Sequence, residues 1–214
     1  MAEARMVLIR HGETQWNREG RIQGYRADSP LTASGHAQAR LLAERLAKER
    51  FDALHSSDAG RTRETAAPIG TATGLEVLYH AALRERSYGV FEGRTYQEVE
   101  REDPGAFQRF RSRDPYYVPP SGESAVQFRD RVVVALERIA AGAAGGCVAV
   151  VTHGGVLGVM YRHVTGASLD SKRSYSLHNA SINRLLYSGK RWSLEVWGDI
   201  AHLPAGSIDS TNKL

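Results

Sequence analysis

The chain has 214 residues, of which 42% are hydrophobic and 24% charged, a single cysteine and a formal net charge of +4. That length suffices for one globular domain over residues 1–214, no stretch reaches the roughly 20 apolar residues of a membrane span, and one cysteine excludes an internal disulfide. The N-terminal MAEARMVLIRHGE lacks an apolar run ahead of a small-residue cleavage site, which points to a cytoplasmic protein, and the arginines are scattered instead of clustered with stacking aromatics, which argues against nucleic acid.

RMVLIR (5–10), short and apolar and followed by Gly12, reads as a buried strand. Thr32 to Arg50 reads as a helix, with Thr32 as N-cap and Ala39, Leu42, Ala43 and Leu46 on one face. FDALHSS (51–57) is a second strand, and Asp58 is placed to cap a helix with Arg61 in its first turn, which Pro68 should kink or end. LEVLYH (75–80) is a third strand. Residues 94–120 are charged, aromatic and Pro-rich, as expected of a cap of short helices and loop over a site. Residues 121–142 form a long amphipathic helix, stopped by Gly145 and Gly146. CVAVVTH (147–153) is a buried strand, with Cys147 a core thiol, and residues 154–166 begin a helix at its end. SINRLLYS and RWSLEVWG (181–188, 191–198) are strands joined at Gly189-Lys190 as a hairpin. Strands alternating with helices predict an α/β fold, a three-layer α/β/α sandwich around a mainly parallel sheet.

Sites in such folds form at the carboxyl ends of the strands. Arg10-His11 and His153-Gly154-Gly155 sit at two of those ends, Arg61 lies one turn beyond a third, and Glu85 follows a fourth by a short loop. These residue types suit phosphoryl transfer. The transferred group spreads charge over three oxygens, arginine offers a planar fork of donors to them, and a neutral imidazole can attack phosphorus. Glu85, if its pKa is raised, can protonate the departing alkoxide and then deprotonate water. Gly12, Gly154 and Gly155 are expected to let backbone amides approach the anion at a helix N-terminus.

RHGETQWN (10–17), RIQG (21–24), PLTASGHAQA (30–39), SSDAGRTRETA (56–66), LRERSYGVFEG (83–93) and VTHGG (151–155) together resemble the successive motifs of the histidine phosphatase superfamily, the phosphoglycerate mutase-like family. The resemblance spans nearly the whole chain. It implies that His11 is the phosphorylated nucleophile, with Arg10 beside it, and that Arg61, Glu85 as acid/base and His153 complete the catalytic set. It also implies Asn17, Gln23 and Gly24 as lining residues of a metal-free pocket, and it implies a histidine acid phosphatase-type enzyme. Tyr88 and Gly154 are further candidates for substrate binding, and Arg109, Arg111 and Arg113 for holding a second acidic group.

Other readings compete. Histidines with carboxylates also bind metals, but no HExxH or similar close pair is present, and Arg10 beside His11 would repel a cation. A binding module that had lost catalysis would lack His11, Glu85 or His153, and all three are present. His36, His55, His80, His163, His178 and His202 read as surface or internally satisfied histidines. The expected function is hydrolysis of a small phosphomonoester through a phosphohistidine, with no cofactor. The alternative is a cofactor-dependent phosphoglycerate mutase primed by 2,3-bisphosphoglycerate. The short cap favours hydrolysis, whereas RERSYG (84–89) resembles the mutase segment. The substrate and the oligomeric state, a homodimer included, are left open by the sequence.

Overall fold

The computed structural model describes residues 3–205. Six strands form one sheet in the order β3-β2-β4-β1-β5-β6. They are β1 (Ala4–Arg10), β2 (Ala53–Ser57), β3 (Val77–His80), β4 (Cys147–Thr152), β5 (Ile182–Ser188) and β6 (Arg191–Asp199). β1, β4, β2 and β3 run parallel, and the β5–β6 hairpin is antiparallel at one edge. Its turn has φ of 57° at Gly189 and 63° at Lys190, the two positive values that a two-residue type I′ connection needs.

Period-two alternation within the strands assigns the two helical layers. Met6, Leu8, Val148 and Val150 point to one face, where they pack with Phe128, Val132 and Leu136 of α6 (Ala125–Gly142) and with Val156, Leu157 and Met160 of α7 (Gly154–Thr165). Val7, Ile9, Ala149 and Val151 point to the other, against Leu42, Ala43 and Leu46 of α2 (Ala33–Leu46) and Ala66 and Ile69 of α3 (Gly60–Thr73). The result is the expected three-layer α/β/α sandwich. A third, separate apolar cluster joins Ile22 and Phe91 to Val99 of α4 (Tyr96–Glu102) and Ala106 and Phe107 of α5 (Pro104–Arg111), so the cap segment has a small core of its own. One short helix, α1 (Gln15–Glu19), begins just after β1 with Thr14 and Asn17 forming a reciprocal capping box.

Several local expectations are corrected. α2 ends at Leu46 instead of continuing to Arg50. Asp58 does not cap α3; Ala59 holds that position without a side-chain bond, because the Asp58 carboxylate is taken by Arg84 at 2.5 and 2.8 Å. Pro68 does not end α3, which runs on to Thr73. The proline removes one backbone hydrogen bond, but buried Ala66 and Ile69 fix the helix on the sheet. Cys147 lies half-buried at the start of β4, not within the core.

Candidate active site

β1, β2 and β4 all deliver polar residues to their carboxyl ends, and a 3₁₀ turn over Ala81–Leu83 after β3 brings in Glu85. Arg10, His11, Arg61 and Glu85 line one cavity of about 780 Å³ together with Asn17, Gln23, Tyr88, Gly154 and Gly155. All four are buried in spite of their polarity. Desolvation is severe for such groups, so each has to be held by specific partners.

His11 Nδ1 lies 2.8 Å from the Gly12 carbonyl, which fixes the proton on Nδ1 and leaves Nε2 with its lone pair. Burial, and then the positive charges of Arg61 and Arg10, hold the His11 pKa well below its ordinary value, so the ring is neutral and nucleophilic. His153 stands 5.5 Å away, centroid to centroid, in an edge-on arrangement. Its Nε2 is 2.8 Å from Ser57 Oγ, and its buried Nδ1 has no partner among the described residues. Burial, followed by the charges around it, lowers its pKa as well.

Arg61 is gripped on one side by Asp28 at 2.7 Å and by the Gly24 carbonyl at 3.1 Å. Its Nε has no partner among the described residues. Arg10 donates through Nη1 to the Leu177 carbonyl. The Glu85 carboxylate accepts from the Arg86 amide at 2.7 Å and from the Gly155 amide at 2.7 Å. Desolvation raises the Glu85 pKa against the opposing pull of those two amides and of Arg61 and Arg10. A buried carboxyl with a raised pKa beside a neutral imidazole and two guanidiniums is equipped for acid/base work during phosphoryl transfer.

Two of the three glycines, Gly12 and Gly155, act differently from expectation. The Gly12 amide is committed to Thr65 Oγ1 at 3.0 Å, and the Gly155 amide is committed to Glu85, so neither is open to an anion. A Cβ on Gly12 would sit 2.6 Å from the Gly35 carbonyl, and one on Gly155 would overlap the Glu85 carboxylate. Close approach is the reason for both. Gly24 does not line the cavity; its role is the carbonyl bond to Arg61. His153 lies behind the lining, fully buried. Arg109 turns away over the Tyr117 ring, whereas Arg111 and Arg113 do line the cavity.

A model of the histidine phosphatase superfamily (branch 1) matches residues 6–200. The chain belongs to that superfamily. It is 42% identical over 201 residues to the metal-independent phosphoserine phosphatase of Arabidopsis thaliana, which covers 92% of this chain and 82% of the relative. It is 41% identical over 204 residues to phosphoglycerate mutase-like protein 4 of the same plant, covering 94% and 87%. Among solved structures, a mycobacterial glucosyl-3-phosphoglycerate phosphatase superposes with a TM-score of 0.79 at 31% identity, over 92% of this chain and 99% of that one.

Within this superfamily site, three supporting residues went unassigned in the sequence. Ser57 orients His153, and Asp28 orients Arg61. Asn179 donates to the His11 carbonyl at 3.0 Å and to Asn17 Oδ1 at 3.1 Å, tying the end of β1 to α1. Ser57 belongs to the SSDAGR segment, and the signal for Asn179 is its place just ahead of the strand that pairs with β1. Asp28 carries no local signal.

Proposed function

We propose that this chain is a phosphatase of small phosphorylated metabolites that works in two steps through a phosphohistidine at His11. The observation that carries the reading is the fixed tautomer of a neutral, buried His11, set beside Arg10, Arg61 and a carboxyl of raised pKa. His11 Nε2 attacks phosphorus, the P–O ester bond breaks, and Glu85 gives its proton to the leaving alkoxide. Water then attacks the phosphohistidine, Glu85 takes the water proton, and the P–N bond breaks to release orthophosphate. Arg10 and Arg61 offset the charge on the equatorial oxygens. If Ser57 donates its hydroxyl proton to His153 Nε2, then Nδ1–H is left as a further donor.

The guanidiniums supply the positive field that a metal would otherwise bring, and a metal-independent relative supports a metal-free reaction. The depressed His11 pKa keeps the nucleophile free in mild acid, which supports the acid phosphatase-type assignment. The cap segment and Gly155 to Arg162 leave a roomy cavity, which favours access of water over sealed phosphoryl return. A phosphoglycerate mutase would use the same centre, and the lining by Tyr88, Arg111 and Arg113 is what favours that second reading.

The test is a screen of phosphorylated metabolites after exhaustive chelation, with and without 2,3-bisphosphoglycerate, scored for phosphate release and for isomerisation. Phosphate release from monoesters should persist and exceed interconversion of 2- and 3-phosphoglycerate. Primed mutase turnover with little free phosphate contradicts hydrolysis, and activity lost on chelation and restored by Mg2+ or Zn2+ contradicts the metal-free mechanism.

A further inference from the structure

The cavity is far larger than a phosphoryl group requires, and one wall explains where the rest leads. Gly155, Gly158, Val159 and Arg162 of α7 all line it, at the i, i+3, i+4, i+7 spacing of a single helical face. At 1.5 Å per residue, that face carries Arg162 roughly 10 Å along the axis from Gly155 and the Glu85 carboxylate. Gly158 keeps the wall open: a Cβ there would lie 3.0 Å from the Tyr175 hydroxyl and 3.4 Å from Arg162 Nη1.

At the far end, Arg162 and Arg113 converge with no carboxylate paired to either among the described residues. Arg162 Nη2 donates to the Ser171 carbonyl at 3.1 Å, and Arg113 Nη1 donates to the same oxygen at 3.0 Å from the cap side. Two guanidiniums sharing one neutral acceptor repel each other. Neither forms an ion pair with a carboxylate among the described residues. Arg162 Nε is buried and has no partner among them. Lys172, next along the same loop, is exposed and also lines the cavity. Among the described residues the lining contains two carboxylates, Glu85 and Asp114, and Asp114 Oδ1 is turned to the Tyr116 amide at 2.9 Å. Arg113 itself is held at φ 62°, a region that non-glycine residues seldom occupy, so local structure over-determines its placement.

We propose that Arg113, Arg162 and Lys172 form a second anion subsite, and that the substrate is a phosphomonoester carrying a carboxylate at the end remote from its phosphate. The proposal rests on the phosphatase reading and extends it. The carboxylate accepts from the two guanidiniums in the plane they present, Lys172 adds a point charge, and the intervening chain lies along the Gly155–Val159 wall. Arg162 is braced for this by the Tyr175 hydroxyl, whose ring stacks on Tyr161 at 3.9 Å.

Two probes of equal length separate the outcomes: 6-phosphogluconate, with a terminal carboxylate, and sorbitol 6-phosphate, with a hydroxymethyl group in its place. Wild type should prefer the acid by about 10–100-fold in kcat/KM, the range for hydrogen bonds to a charged group. That preference ratio should collapse toward one in Arg162→Gln. Lys172→Glu, on an exposed side chain that makes no hydrogen bond or ion pair among the described residues, should lower it with the fold intact. Calorimetric titration of both probes into His11→Ala reads the same preference with no turnover at all. No preference in either measurement overturns the subsite. Preference in the titration with no phosphate release from either probe, or from p-nitrophenyl phosphate by wild type, would instead overturn the phosphatase reading.

Discussion

Replacing Glu85 by glutamine removes a proton donor while keeping the shape of the side chain. In the structure its carboxylate accepts two backbone amides, from Arg86 and Gly155, each at 2.7 Å. A glutamine carbonyl can satisfy one of them, and its NH₂ group then faces the other donor. The lost bond costs about 1–3 kcal/mol of stability, offset in part by no longer burying a carboxylate. The catalytic loss should be larger and should depend on the leaving group. For an alkyl phosphate the alkoxide needs its proton in the transition state, worth about 10²–10⁴-fold, or about 3–5 kcal/mol. Nitrophenolate departs largely unaided, so p-nitrophenyl phosphate should lose less than about tenfold. The assay is kcat/KM for glycerol 3-phosphate and p-nitrophenyl phosphate in both proteins, since that ratio reports the first, phosphorylating step. A denaturant unfolding curve should confirm that the variant is folded. Equal losses for the two substrates would refute the reasoning and assign the acid role to another group.

Gly155→Ala puts a Cβ onto the Glu85 carboxylate and should lower kcat/KM for alkyl phosphates about 10–100-fold; wild-type rates would show that the α7 terminus yields freely. Acid should destabilise the fold through its buried histidines. His11 and His153 are held below their ordinary pKa, so the folded state binds fewer protons than the unfolded chain. Their contribution is complete above pH 6.5 and is lost as pH falls toward their folded values, at about 1.4 kcal/mol per pH unit for each ring. The raised Glu85 works in the opposite sense, so the measurement compares unfolding free energies of wild type and His153→Asn from pH 7 to 5. A shallower slope in the variant is expected, and equal slopes would contradict it.

Much of this was legible because the strands carry their own signals. Alternation in RMVLIR and CVAVVT fixes both faces of the sheet, and the polar residues that end each run mark its carboxyl edge. Thr32 was readable as a cap because a side-chain oxygen at that position satisfies an amide three residues on. Asp58 looked equally suited, but a competing guanidinium from Arg84, 26 positions away, claims its carboxylate, and no local pattern records such a partner. The same limit applies to Asp28 behind Arg61 and to the convergence of Arg113 and Arg162 on Ser171. Gly12 and Gly155 are needed for a physical reason other than the expected one. Gly12 and Gly155 accommodate a backbone and a carboxylate packed against them, contacts that exist only after distant segments meet.

The central claim is that the phosphoryl group rests on His11. Wild type mixed briefly with substrate, quenched in alkaline denaturant and analysed by 31P NMR and peptide mass spectrometry, should yield an acid-labile, base-stable phosphohistidine on the peptide that contains Arg10-His11-Gly12, and His11→Ala should yield none. Phosphate found on a serine, an aspartate or Cys147, or full turnover by His11→Ala, would contradict the account.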